Sequence, residues 1–86
     1  MSIKLKFDIV YYMRLSECKE NKYYSIIKID SLLSEKLRRR LYDLGFLAGQ
    51  KVRVVNKSLL KKAYMIEIRG YTLSLRNTIV NSIMVE

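Results

Sequence analysis

The chain has no histidine, no proline, one cysteine and three glycines in 86 residues. Each shortage removes something. Without histidine there is no Ser/His/Asp or Cys/His set for nucleophilic catalysis. With Cys18 as the single thiol, an intramolecular disulfide and a Cys-pair zinc site are excluded, and soft-metal ligation by side chains is nearly impossible. A single thiol suits a reducing compartment. Cys18 lies in Met13-Arg-Leu-Ser-Glu-Cys-Lys19, has no base to activate it, and reads as a small apolar residue of the interior. Gly45, Gly49 and Gly70 are too few and wrongly spaced for a phosphate-binding loop. Asp8, Glu17, Glu20, Asp30, Glu35, Asp43, Glu67 and Glu86 are the only carboxylates, scattered without calcium or iron spacing and without a paired acid and base. The expectation is therefore no enzyme, no cofactor and no metal site.

Long apolar runs are also missing. None approaches the ~18–20 residues a spanning helix needs. The N-terminus alternates apolar and charged residues, where a secretory signal needs a continuous apolar region. A cytoplasmic location is expected.

What is present is positive charge. Seventeen basic residues against eight acidic give a net charge of +9. That balance favours an anionic neighbour: nucleic acid, an anionic membrane surface or an acidic protein face. Half of the residues are apolar, enough for one small core and too many for disorder. No linker, repeat or low-complexity tract divides residues 1–86, so one domain is expected.

Residues 3–10 alternate, with Ile3, Leu5, Phe7 and Ile9 opposite Lys4, Lys6 and Asp8, which predicts a strand. Tyr23 to Ile29 is rich in β-branched and aromatic types and predicts another. Asn21 between them suits a left-handed turn. A helix follows over about 34–44. Ser34 is its N-cap, Glu35 suits the positive end of its dipole, and Leu37, Leu41 and Leu44 form one apolar stripe. Gly45 supplies the left-handed residue that ends it. Arg40, beside that stripe, is expected to lay its stem along the core edge and to reach Asp43 or backbone carbonyls. Three strands are read after Gly49, in 51–57, 64–69 and 71–76, with Arg69-Gly70 as a tight hairpin turn. One helical turn over 77–81 and a short strand at Ile83 and Val85 complete the chain. Five to six short strands with one helix predict a small antiparallel β-barrel.

The basic clusters are Lys36, Arg38, Arg39 and Arg40 on the helix, then Lys51, Arg53, Lys57, Lys61 and Lys62, with no acidic residue from Gln50 to Ile66. Taken singly, most read as a solvated face, and Lys61-Lys62 as a charged hairpin tip. Tyr64 and Tyr71 fall on apolar faces and are expected to line the core. Tyr11-Tyr12 and Tyr23-Tyr24 are adjacent pairs, so one of each should point outward. Base stacking is therefore only weakly signalled.

Two stretches carry a resemblance. Leu37-Arg-Arg-Arg-Leu-Tyr-Asp-Leu-Gly-Phe-Leu-Ala-Gly-Gln-Lys-Val-Arg-Val-Val55 resembles the LRRRLxxLGxxPGxxVxVV signature of FeoA domains. Ile68-Arg-Gly-Tyr-Thr-Leu-Ser-Leu-Arg76 resembles the second signature of that family, and Leu15-Ser-Glu-Cys-Lys19 its opening segment. The similarity covers about residues 12–86 and leaves 1–11 as an extra N-terminal strand. Ala48 departs from the family's usual proline, Glu20-Asn21 from a common Pro-Gly, and Lys61-Lys62-Ala63 from a glycine-containing hairpin tip.

The resemblance implies an SH3-like small β-barrel. It also implies a cytosolic accessory protein of bacterial ferrous iron uptake that works with FeoB, a permease carrying a cytosolic G-protein domain. The same domain ends iron-dependent repressors, after a DNA-binding part for which this chain has no room. The expected docking face comprises Arg38, Arg39 and Tyr42 on the helix and the loop from Leu59 to Lys62, with Leu59, Leu60 or Phe46 as exposed apolar anchors. Leu37, Arg40, Leu41, Leu44, Gly45, Gly49 and Gly70 are expected to be structural. Two other functions stay open. One is a small basic barrel binding RNA or DNA. The other is a GTPase regulator acting through Arg38 or Arg39.

Overall fold

The computed structural model describes the backbone of residues 3–4 and 10–11 and the full residues 13–86. Two short strands, β1 (Ile3–Lys4) and β2 (Val10–Tyr11), pair antiparallel with each other. The two ends of the stretch expected to be one strand thus lie side by side in a separate two-stranded sheet. Residues 5–9 of that expected strand, and the side chains of Tyr11 and Tyr12, lie outside the described residues.

The main sheet has six strands: β3 (Met13–Arg14), β4 (Tyr23–Ile29), β5 (Lys51–Lys57), β6 (Ala63–Ile68), β7 (Tyr71–Arg76) and β8 (Ile83–Val85). Their order is β3-β8-β4-β5-β6-β7, every pair antiparallel. Strand β4 is the seam. Its first half pairs with β5 and its second half with β8, and the register shifts between Ile26 and Lys28. A bulge adds one residue and changes which side chains face inward. Tyr24, Ile26 and Ile29 are therefore all buried, and Lys28 is not.

The ladder does not close on itself. A short helix, α2 (Asn77–Val80), touches β6, β7 and the 3-10 turn at Leu15–Glu17 that follows β3. It brings the two ends of the sheet together around one apolar interior. Leu15, Ile26, Val52, Val54, Ile66, Val80, Ile83 and Val85 fill that interior, and Cys18 is buried with them as expected. Burial pushes the Cys18 thiol up to about 11.

Helix α1 (Glu35–Asp43) falls within the predicted range. The Leu37 N–H donates to Ser34 Oγ at 3.2 Å, as a capping residue requires. The helix ends as expected at Gly45, whose φ is +101°.

Candidate functional site

The end of α1 is built tightly. After the left-handed Gly45, the Phe46 N–H donates back to the Leu41 carbonyl at 3.0 Å, which folds Phe46 under the helix. Phe46 is 0% exposed, so it is not an apolar anchor for a partner. It takes the core position that the stripe assigned to Leu44. Leu41 is buried and Leu37 half-buried, but Leu44 is exposed because the helix phase ends there. A side chain on Gly45 is opposed twice. Its φ disfavours L-residues, and a Cβ would lie 2.6 Å from Arg69 Cδ.

The arginines sort differently from the expectation. Arg40 is exposed, and Arg38 is the one whose stem lies against the interior, with its Nε buried and unpaired. With Leu41 and Gly45 facing inward, a 100° step per residue places position 38 nearer the buried direction than position 40. Arg39 is exposed and its Nη2 pairs with Glu35 Oε1 at 3.1 Å, one turn earlier. An exposed pair of this spacing contributes about 0.3–0.5 kcal/mol. Glu35, Lys36, Arg39, Arg40 and Asp43 line an open groove of mixed charge.

Four apolar side chains stand out at the C-terminal end of α1: Tyr42, Leu44, Leu47 and Tyr71. Tyr71 was expected in the core and is half-exposed instead. It follows the turn directly, and its hydroxyl donates to the Leu44 carbonyl, tying β7 to the helix end. Arg69 and Gly70 both have positive φ, +52° and +83°, the requirement of a two-residue type I′ turn.

The loop from Ser58 to Lys62 joins β5 to β6 at the other end of β6. Six strand residues put about 17–20 Å between the two ends of that strand. The expected docking face therefore divides, with Tyr42 by the turn at Arg69-Gly70 and Leu59–Lys62 at the opposite end of the strand. Leu59 and Leu60 are exposed, as expected. Lys61 takes the left-handed conformation, φ +55°, at the tip. Asn21 does the same at φ +63° in the earlier turn.

Two polar networks were missed by sequence reasoning. Tyr23, Arg53 and Glu67 are cross-strand neighbours in β4, β5 and β6. The Tyr23 hydroxyl donates to Glu67 Oε1 at 2.6 Å, Arg53 Nη2 to Glu67 Oε2 at 3.0 Å, and the Arg53 guanidinium lies 5.1 Å from the Tyr23 ring centre. The hydrogen bonds from Tyr23 and Arg53 hold the Glu67 carboxyl below its usual range and the bond to Glu67 raises the Tyr23 phenol. In the second network, Arg14 Nη1 donates to the Asn81 carbonyl at 2.7 Å and reaches Asp30 Oδ2 at 3.5 Å. The Leu32 N–H donates to Asp30 Oδ1, and with Arg14 it lowers the Asp30 carboxyl. Only strand register could have revealed the first set, and only the packing of β3 beside α2 the second. One face of the Tyr23 ring holds the Arg53 guanidinium and its hydroxyl is committed to Glu67, although the residue is 55% exposed. Tyr24 and Tyr64 are buried.

Among the described residues no three His, Cys, Asp or Glu side chains come together to hold a metal, and no helix is long and apolar enough to cross a membrane.

Comparison with known proteins agrees with this architecture. The model of the FeoA domain matches residues 13–86. The solution structure of a FeoA-like protein from Clostridium acetobutylicum is 27% identical with a TM-score of 0.76, over 91% of this chain and 88% of that one. FeoA of Stenotrophomonas maltophilia, solved with zinc, is 25% identical with a TM-score of 0.76, over 86% and 89%. It is described as a prokaryotic SH3 domain protein and a candidate activating factor for bacterial ferrous iron transport. A manganese-dependent transcriptional repressor shares the fold at 17% identity, with a TM-score of 0.78 over 87% of this chain and 36% of the repressor. No curated protein matches the chain.

Proposed function

The chain belongs to the FeoA domain family, associated with ferrous iron transport, and from that premise we propose that it is a cytoplasmic accessory protein, without catalysis of its own, that docks on the cytosolic part of a FeoB-type permease. The observation that carries the reading is the exposed apolar group at the end of α1. Tyr42, Leu44, Leu47 and Tyr71 stay uncovered on a rigid turn, with the basic Arg39 and Arg40 on the helix before it. Aromatic and aliphatic anchors inside a polar rim are what a protein interface uses. The turn is held by Gly45, by Phe46 beneath it and by the Tyr71–Leu44 bond, so little conformational freedom is left to lose when a partner binds.

Arg38 contributes from below, as a half-buried support, and Arg39 at the rim. An arginine finger acting on a nucleotide is less well supported, since Arg39 is paired with Glu35 and Arg38 is partly enclosed.

The test is capture of the detergent-solubilised permease on the tagged chain at physiological salt. Leu47→Asp and Arg39→Glu are expected to reduce capture, Leu47→Asp by tenfold or more, as a charge placed in the desolvated centre of an interface costs about 2 kcal/mol or more. Capture that is unchanged in both variants would place the face elsewhere. Failure of the unmodified chain to hold the permease would remove the partner.

A further inference from the structure

The least-covered aliphatic side chains of the described residues gather on another side of the molecule. Leu59 is 98% exposed, Leu32 92% and Leu60 71%. Leu32 and Thr78 help line one open groove, where Asp30 is paired with Arg14, and Leu60 and Thr78 help line another, so α2 joins the start of the α1 segment to the β5–β6 tip. Around Leu60 the lining adds Lys61, Lys62 and Arg76 and, among the described residues, no carboxylate. None of these three cations makes an ion pair with a described residue.

The tip is ordered by its own bonds. Ser58 Oγ accepts from the N–H groups of Lys62 and Ala63 at 3.0 and 3.1 Å, and the Lys61 N–H donates to the Ser58 carbonyl at 2.8 Å. The Asn77 N–H fixes the Lys62 carbonyl at 2.9 Å. Two adjacent leucines are thus held outward on a convex hairpin.

We infer that this tip, with α2 and Leu32 beside it, rests on an anionic bilayer surface. Leu59 and Leu60 enter the boundary between headgroups and acyl chains, and Lys61, Lys62 and Arg76 face the lipid phosphates. A convex pair of aliphatic side chains flanked only by cations matches that chemistry. A nucleic acid would draw on the cations and give the leucines no partner, because stacking needs aromatic rings. A net charge of +9 acts in the same direction. Two leucines and three cations make a weak, reversible anchor, suited to holding the chain near a membrane-embedded partner without fixing it there. The inference goes beyond permease docking and uses different residues.

The test is co-sedimentation of the full chain with phosphatidylcholine vesicles, with and without phosphatidylglycerol, in the absence of any permease. Binding is expected only to the anionic vesicles, and it should weaken as salt rises. Lys61→Asn keeps a residue that tolerates positive φ and, like Lys62→Gln, is expected to lower the partition coefficient about fivefold. Leu59→Ser with Leu60→Ser leaves the charge unchanged and should lower it about tenfold or more. Circular dichroism should be unchanged in each variant.

Equal binding to neutral vesicles, or no binding to anionic ones, would overturn the inference. So would wild-type partition by the double serine variant, since the tip would then not insert. Salt-sensitive binding to RNA or to an acidic protein without vesicle binding would assign the patch to that partner and overturn it too. With no permease present, none of these results bears on the proposed function.

Discussion

The two ends of β6 solve the same problem in opposite ways. At one end, the β6–β7 turn meets the end of α1, and the backbone of that end is fixed by packing and hydrogen bonds while Tyr42, Leu44, Leu47 and Tyr71 keep exposed side chains. A side chain on Gly45 would be strained by its φ of +101° and would have to displace the Arg69 side chain, Phe46 is fully enclosed, and Tyr71 is tied to the Leu44 carbonyl. At the other end the Ser58–Lys62 loop also needs a left-handed residue, yet uses Lys61, because that backbone opens to solvent. Where sterics and strain act together the residue is dictated. Where only strain acts, a cost of about 1–2 kcal/mol is tolerated, and the side chain is free to serve a partner or a surface.

The comparison can be broken most sharply by truncating one apolar residue at each end. Phe46→Ala should lower unfolding stability by about 3–5 kcal/mol in urea titrations, because it empties a packed site. Leu59→Ala should change it by less than about 0.5 kcal/mol, as exposed positions do. Similar losses at both positions would show that the tip packs against something in solution.

A smaller effect tests the left-handed residues themselves. Gly45→Ala should cost about 1–2 kcal/mol from the backbone alone, and more if Arg69 cannot move. Lys61→Gly should do the reverse and stabilise by roughly 0.5–1 kcal/mol, since glycine removes the strain and loses part of the gain to chain entropy. Thermal unfolding of the two variants reads both signs. A neutral Gly45→Ala would mean that the helix end is not sterically closed.

The smallest effect is expected from acid. Asp30 and Glu67 have folded carboxyls held below their unfolded values, by the Leu32 N–H and Arg14, and by Tyr23 and Arg53, respectively. Such groups contribute stability that is present above the unfolded range, about pH 4, and lost as pH falls through their folded values. The urea midpoint should fall from neutral pH to about pH 3, and less so in the Asp30→Asn, Glu67→Gln double variant. Neither carboxylate is in the Ser58–Lys62 loop, so the geometry of the tip should outlast the loss. A double variant with the full wild-type drop would trace acid sensitivity to other carboxylates.

Local signals were legible wherever one residue type met one backbone need. Ser34 caps α1, Gly45 ends it, Asn21 turns left-handed, and Arg69-Gly70 makes the two-residue hairpin, all as their chemistry requires. Alternation located β6 and β7, and β-branched or aromatic enrichment located β4. Apart from the stretch 3–10, whose two ends pair as β1 and β2, the errors lie where an element ends. Leu44 continued a helical stripe past the helix, so Phe46, two residues into the turn, took its place. The same short helix left the phase of Arg38 and Arg40 open, and the burial of Leu41 and Phe46 set it. Tyr71 was given its strand's inward face, but its place just after the turn lets it reach α1.

The candidate surface was half legible. Exposure of Leu59 and Leu60 followed from apolar residues in a turn, whereas Leu32 and Leu47 gave no signal, because nothing local tells an exposed leucine from a buried one. By itself the sequence determined the order of elements, the residues that punctuate them, the positive charge and, through two motifs, the family. Capping, left-handed turns and period-two alternation are local physics and need no fold to act. Only the tertiary structure decided which leucines, arginines and tyrosines face water, and that the helix end and the hairpin tip stand apart. Burial and distance arise between segments far apart in the chain, and no local pattern encodes them.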